Sequence, residues 1–114
     1  MTVSDKKLDV HFYTSRGGGE PVRKWLLTLT RDERKLIGDD ILKIQHSWPI
    51  GKPLVDGLGN GLWEVRSNLG DRIARVIFYI EGREMILLHG FIKRTAKTPK
   101  QDLQLSLKRK KQLL

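Results

Sequence analysis

Cysteine is absent from the 114-residue sequence, which excludes disulfides and thiolate-bound metals and is compatible with a reducing compartment. Histidine is scarce: His11, His46 and His89 lie far apart with no ligand spacing, and no pair of carboxylates stands out in the basic half. The usual metal and nucleophile constellations are therefore missing, and no metal or cofactor is expected. No apolar run approaches membrane-spanning length, and the opening MTVSDKKLDVHFY lacks an apolar stretch followed by a small-residue cleavage site. The expectation is a cytoplasmic protein with no membrane partner. Linkers, repeats and low-complexity tracts are also lacking, so residues 1–114 are expected to form a single domain, large enough for one core.

What is present in excess is positive charge. The net charge is +9, and residues 91–114 hold eight Lys or Arg against one acid, Asp102. The other 90 residues carry 14 basic and 12 acidic groups. A field concentrated in the C-terminal fifth favours nucleic acid or an acidic protein, and is also what a solvated charged tail would show.

The stretch from Gly61 to Pro99 organises the chain. Leu62 to Ser67, Arg72 to Ile80 and Met85 to Ile92 are rich in β-branched, aromatic and leucine residues and read as three consecutive antiparallel strands. Asn68-Leu69-Gly70-Asp71 and Glu81-Gly82-Arg83 are breaks short enough to make neighbours pair. Upstream, Leu8 to Thr14 reads as a first strand, ended by Arg16-Gly17-Gly18-Gly19. Those glycines lack the Lys-Ser/Thr of a phosphate-binding P-loop and are read as a turn.

Glu20-Pro21 opens a helix with a Val22, Trp25, Leu26, Leu29 stripe. Thr30 and Glu33 form a capping-box pattern for a second helix, with Leu36-Ile37, Ile41 and Ile44 inward, ending near Ser47 before Trp48-Pro49. Ile50 to Gly61 reads as a loop, and Thr98-Pro99-Lys100-Gln101 as the start of a last helix with Thr98 as cap. In that helix Leu103, Leu107 and Leu114 lie near one face, with Lys108 to Lys111 largely around the other. The fold class is α+β: a small domain with an antiparallel sheet (N-terminal strand plus three-stranded meander), an N-terminal helical hairpin and a C-terminal helix. The helices are expected on one sheet face, leaving the other for a ligand.

Alternation puts Leu62, Glu64 and Arg66 on one face of their strand and Trp63 and Val65 on the other. In the simplest register Arg66 lies close to Arg72, and Arg75 lies near Glu64. Two arrangements are compatible with this. Like charges set across a ladder are unfavourable, so an Arg cluster points to an anionic partner; alternatively, Arg66 and Arg72 point to different sides and Arg75 pairs with Glu64. His89, on the otherwise apolar ILLHGF, is more often a structural histidine than a catalytic one, although Gly90 beside it eases access. An inventory of Arg, Lys, an aromatic and one His can bind a phosphodiester, and it can also cleave RNA. RNA carries its own nucleophile, the 2′-OH, so protein groups need only orient it, move a proton and stabilise phosphate charge. Phe91 or Tyr79 could stack on a base, and both serve equally as core residues.

GLWEVRSNLGDRIARVIFYI followed by ILLHGFIKRTAKTP resembles the HigB-like branch of the RelE/ParE superfamily of bacterial toxins. In that branch a Leu-Trp-Glu-Leu/Val-Arg strand precedes an Arg-containing strand and a Gly-Phe-x-Lys-Lys-x-x-x-Thr-Pro segment. The resemblance covers nearly the whole chain, including the helical hairpin and the basic last helix. It implies the toxin of a type II toxin–antitoxin pair, a metal-independent endoribonuclease acting on messenger RNA at the ribosome, neutralised by a cognate helix-turn-helix antitoxin. By position, it implies that Arg66 and Arg72 or Arg75 bind the phosphate and that Phe91, Lys93, Arg94 and Lys97 line the same groove, Lys93 best placed for proton transfer or charge stabilisation. The expected site is thus catalytic Arg66, Arg72, Arg75 and Lys93, with Phe91, Arg94 and Lys97, and also His89, Lys108 and Arg109, contacting RNA. Arg94 stands where Lys is common, which keeps the charge; Ala96 stands where Gln is frequent, which removes a polar group. The same superfold includes gyrase-poisoning toxins, and a noncatalytic ribosome- or nucleic-acid-binding module would carry similar charge.

Overall fold

The computed structural model describes residues 6–93 and 97–113. Among these, five strands form one sheet of order β1-β5-β4-β3-β2, with β1 Asp9–Phe12, β2 Val55–Gly59, β3 Leu62–Asn68, β4 Ile73–Glu81 and β5 Glu84–Lys93. The helices are α1 Pro21–Leu27, α2 Arg31–Ser47 and α3 Lys100–Gln112. None of the described helices is long and apolar enough to cross a membrane. The α+β class and the meander β3-β4-β5 stand as expected, with β3 antiparallel to β4 and β4 to β5. The Thr30–Glu33 capping box forms in both directions, with N···O distances of 3.0 and 3.2 Å.

Four expectations need correction. First, Val55–Gly59 is a strand, antiparallel to β3, where the sequence reads as a loop. Its glycines serve packing and the turn. A Cβ on Gly57 would lie 3.3 Å from the Trp63 ring, and Gly59, Asn60 and Gly61 all have positive φ, a tight return that side chains disfavour. Second, β1 pairs with β5 in parallel, so the sheet is not wholly antiparallel. Third, the helices cover both faces. Val22 of α1 and Ile37, Ile41 and Ile44 of α2 pack with Val65, Val76, Phe78 and Leu87 on one side. Leu103 and Leu107 of α3 pack on Leu62, Ile77, Tyr79 and Leu88 on the other. Apolar positions on both faces of β4 explain this: Ile73–Glu81 is buried along most of its length, as a strand sandwiched between two layers must be. Fourth, Thr98 does not cap α3; Pro99 occupies that position without a side-chain bond, and the Thr98 hydroxyl goes to the sheet instead. Leu114 lies outside the described residues.

Gly90 joins the α1 layer to the sheet. A Cβ there would sit 2.2 Å from Trp25 Cε3, closer than atoms tolerate, so the indole packs directly on the β5 backbone. Gly90→Ala must displace the ring and is expected to destabilise the fold by about 1–3 kcal/mol, read as a lower urea midpoint. An unchanged midpoint would show that the Trp25 contact does not matter.

Candidate nucleic-acid site

The residues singled out in the sequence separate into groups once the strands are in register. β3 and β4 place Arg66 directly opposite Arg75, and Arg75 is in turn opposite Phe91 of β5. Strand alternation keeps Glu64 on the same face as Arg66, one of its neighbours being the Arg75 guanidinium, whose Nη1 donates to Glu64 Oε1. Both partners are removed from water, Glu64 at 0% and Arg75 at 3% exposure. The second Glu64 oxygen accepts from Thr98 Oγ1 at 2.6 Å. One buried carboxylate thus ties together β3, β4 and the segment that leads into α3.

Lys93, at the end of β5, joins the same field and is only 4% exposed. Burial holds its pKa below the ordinary lysine value of 10.5, the Arg75 and Arg66 charges lower it further, and the Glu64 and Asp102 carboxylates oppose the shift. Among the described residues, Lys93 Nζ and Arg75 Nε are both buried without a hydrogen-bond partner. Buried donors are ordinarily satisfied, and two that are not, in a field of three cations about one carboxylate, favour an incoming anion. Arg66 is half-buried at the sheet margin, where it also lines a cleft of about 620 Å³ with Leu36, Asp40 and Lys43 of α2.

Arg72 is divided between two surroundings. Its Nη2 donates to Glu33, the capping residue of α2, so the guanidinium turns toward the helical hairpin. The same residue lines a cleft of about 480 Å³ with Asp71, Ile73 and Lys93. The structure therefore combines features of both arrangements open in the sequence: Arg75 pairs with Glu64 and Arg72 with Glu33, while Arg66, Arg75 and Lys93 still share one field.

His89 and Phe91 alternate with the bulge at Leu88 and stack on each other, ring centroids 5.3 Å apart at 20°. His89 Nε2 lies 2.6 Å from Asp102 Oδ1 of α3, and its Nδ1 is 3.5 Å from Arg109 Nη1. Because the guanidinium can only donate, the tautomer with its proton on Nε2 satisfies both neighbours. Arg109 also donates to the Leu88 carbonyl at 2.7 Å and lies 5.5 Å from the Tyr13 ring centre; burial lowers its pKa from the ordinary arginine value. These bonds clamp α3 to the sheet. Tyr79, 5% exposed, lies beneath Lys110 with its pKa raised by burial, then by Glu81, and serves the core. Lys97 is exposed just before α3, Lys108 is exposed on it, and Arg94 lies outside the described residues. Among the described residues, no three or more His, Asp or Glu side chains gather into a metal-binding group.

Two site residues were missed in the sequence. Asp102 carried a signal, being the lone acid in a strongly basic segment, a position that calls for a specific partner. Thr98 carried none, since its pattern matched a helix cap.

The sign of the Lys93 shift gives a test. In the interval below 10.5 the unfolded chain binds this proton and the folded chain holds it less well, so stability rises with pH there. Lys93→Met is expected to stabilise the fold by on the order of 1 kcal/mol or more near pH 7, the gain shrinking toward about pH 10. Glu64→Gln, which strands two buried cations, is expected to cost about 3–5 kcal/mol. Urea titrations across this pH range check both, and a Lys93→Met advantage that grew with pH would contradict the assignment.

Residues 24–111 match the family described as phage derived protein Gp49-like (DUF891). No curated protein matches the chain. The family is associated with the toxins of toxin–antitoxin systems, which suggests an antitoxin partner. The match spans most of the 114 residues and takes in α2, the meander and α3: the chain belongs to the Gp49-like family of phage-derived proteins.

Proposed function

We propose that this protein is the toxin of a type II toxin–antitoxin pair in the HigB-like branch of the RelE/ParE superfamily, and that it cuts messenger RNA on the ribosome in the cytoplasm. The observation that carries this reading is the pair of buried donors, Lys93 Nζ and Arg75 Nε, that have no partner among the described residues and lie beside Arg66. A phosphodiester supplies the acceptors that this field lacks. The toxin-like family supports the first half of the proposal, and the Trp-Glu-Val-Arg and Gly-Phe-Ile-Lys segments support the branch.

In this reaction the ribose 2′-oxygen attacks the adjacent phosphorus. The O2′–P bond forms as the P–O5′ bond breaks, leaving a 2′,3′-cyclic phosphate and a 5′-hydroxyl. The 2′-OH proton passes to a base, and the departing 5′-oxygen takes up a proton. Lys93 is suited to the transfer because its burial favours the neutral amine. Arg66 and Arg75 hold the non-bridging oxygens and stabilise the growing charge. Arg72, fixed by Glu33, flanks the Lys93 cleft and meets a neighbouring phosphate. The half-buried Phe91, stacked on His89, offers a ring to a base. Lys97, exposed just before α3, adds basic charge beside the site, and a helix-turn-helix antitoxin neutralises the toxin by covering it.

Primer extension on a defined message in a translating extract tests the proposal. The wild type is expected to cut at in-frame positions only while the message is translated, and Arg66→Ala to lower cutting by about 100-fold with its melting transition kept. Equal cutting by the variant would remove Arg66 from the site; an intact message under arrested growth would overturn the nuclease reading.

A further inference from the structure

A second cationic surface lies at the far end of α3. Just after Thr98, bonded to Glu64, the helix runs from Lys100 past Asp102, bonded to His89, toward Lys108 and Lys111. Six residues separate Asp102 from Lys108, about 9 Å along the axis. There the outer side of α3 faces the glycine turn that follows β1. Two adjoining clefts of about 530 and 480 Å³ lie between them, sharing Arg16, Lys108 and Gln112. One wall carries Arg16 and Lys24; the other carries Lys108 and Lys111, with Arg109 at the floor. Among the described residues the only acid in the lining is Glu20, which pairs with Arg23 at 3.3 Å. Among the described residues Arg16, Lys24, Lys108 and Lys111 have no ion-pair partner, and all four are exposed.

We propose that this groove binds the phosphate backbone of a folded RNA, at a site separate from the Arg66–Lys93 cluster. Three features select that ligand. Cations on both walls suit a ridge of phosphates running between them. The turn leaves room for it: a Cβ on Gly17 or Gly18 would meet nothing within 4 Å, and Ser15 closes the turn from inside through Gly19. The groove also offers no ring for stacking. Its one aromatic, Tyr13, is 4% exposed, bonded to Gln112 and faced by Arg109, so single-stranded bases have nothing to lie on, and backbone charge and shape are what remain to be read. The groove stands whether or not the chain cuts message. If it does, α3 joins a docking end to a reacting end.

The test is fluorescence anisotropy with a fluorescein-labelled RNA hairpin carrying 2′-O-methyl riboses throughout, which cannot be cut through a 2′-OH. The probe is titrated with wild type, with Arg31→Gln as a control cation outside the groove, and with a quadruple variant, Arg16→Gln, Lys24→Gln, Lys108→Gln and Lys111→Gln. These four side chains are exposed, and matching circular dichroism checks the fold. The quadruple variant is expected to bind roughly tenfold or more weakly, with a salt slope lower by about three; Arg31→Gln, which removes an exposed cation outside the groove lining, is expected to bind within about twofold of wild type. Equal affinity and slope in wild type and quadruple variant would overturn the groove. Labelled poly-L-glutamate bound as tightly as the hairpin, and lost in the quadruple variant, would overturn the RNA assignment in favour of an acidic protein. Hairpin binding through the groove, with no message cutting by wild type, would support the groove while removing the nuclease reading alone.

Discussion

The buried Glu64 carboxylate is the constraint on which the rest of the structure depends. It sits at 0% exposure in the middle of β3, a cost that a charged group bears only when its oxygens are filled. Arg75 fills one from the neighbouring strand and Thr98 fills the other from the approach to α3. The register of two strands and the starting point of the last helix are thereby fixed at one atom group. With one carboxylate shared between Arg75 and the field of Lys93, positive charge remains in excess. The buried cluster thus carries an electrostatic cost to stability, as functional sites commonly do.

The second consequence concerns α3. A sheet with apolar residues on both faces of β4 must be covered on both, and α3 supplies the second layer through Leu103 and Leu107. Polar clamps then set its position: Asp102 on His89, Arg109 on the Leu88 carbonyl, and Lys110 on the Asn60 carbonyl at 2.7 Å. The helix that carries much of the basic charge is therefore a structural element along its inner side. Lys108 and Lys111 are left exposed beside the glycine turn at one end, while the helix start borders the buried cluster at the other.

Much of this was legible in the sequence, for physical reasons that can be named. The meander declared itself because its strands are β-branched and its turns short, and α2 because Thr30 and Glu33 can satisfy each other. The Arg75–Glu64 pair was one of two arrangements that strand alternation allowed. What escaped were features decided by partners distant in the chain. Val55–Gly59 looks like a loop because its glycines answer to Trp63 and to a tight turn. The parallel pairing of β1 with β5 leaves no local mark. Thr98 reads as a cap until Glu64, 34 positions away, competes for its hydroxyl. Asp102 was visible as an acid out of place, but its partner on β5 was not.

The central claim is that the cationic face acts on RNA through the message's own 2′-hydroxyl. The most direct measurement is to program ribosomes with a message carrying a single 2′-deoxyribose at the position the wild type cuts, beside an all-ribose control. Cleavage of the control to a 2′,3′-cyclic phosphate, with the deoxy message left intact at that position, is the predicted result. Cleavage of the deoxy message at the same bond would mean that the nucleophile comes from elsewhere, and would contradict the account.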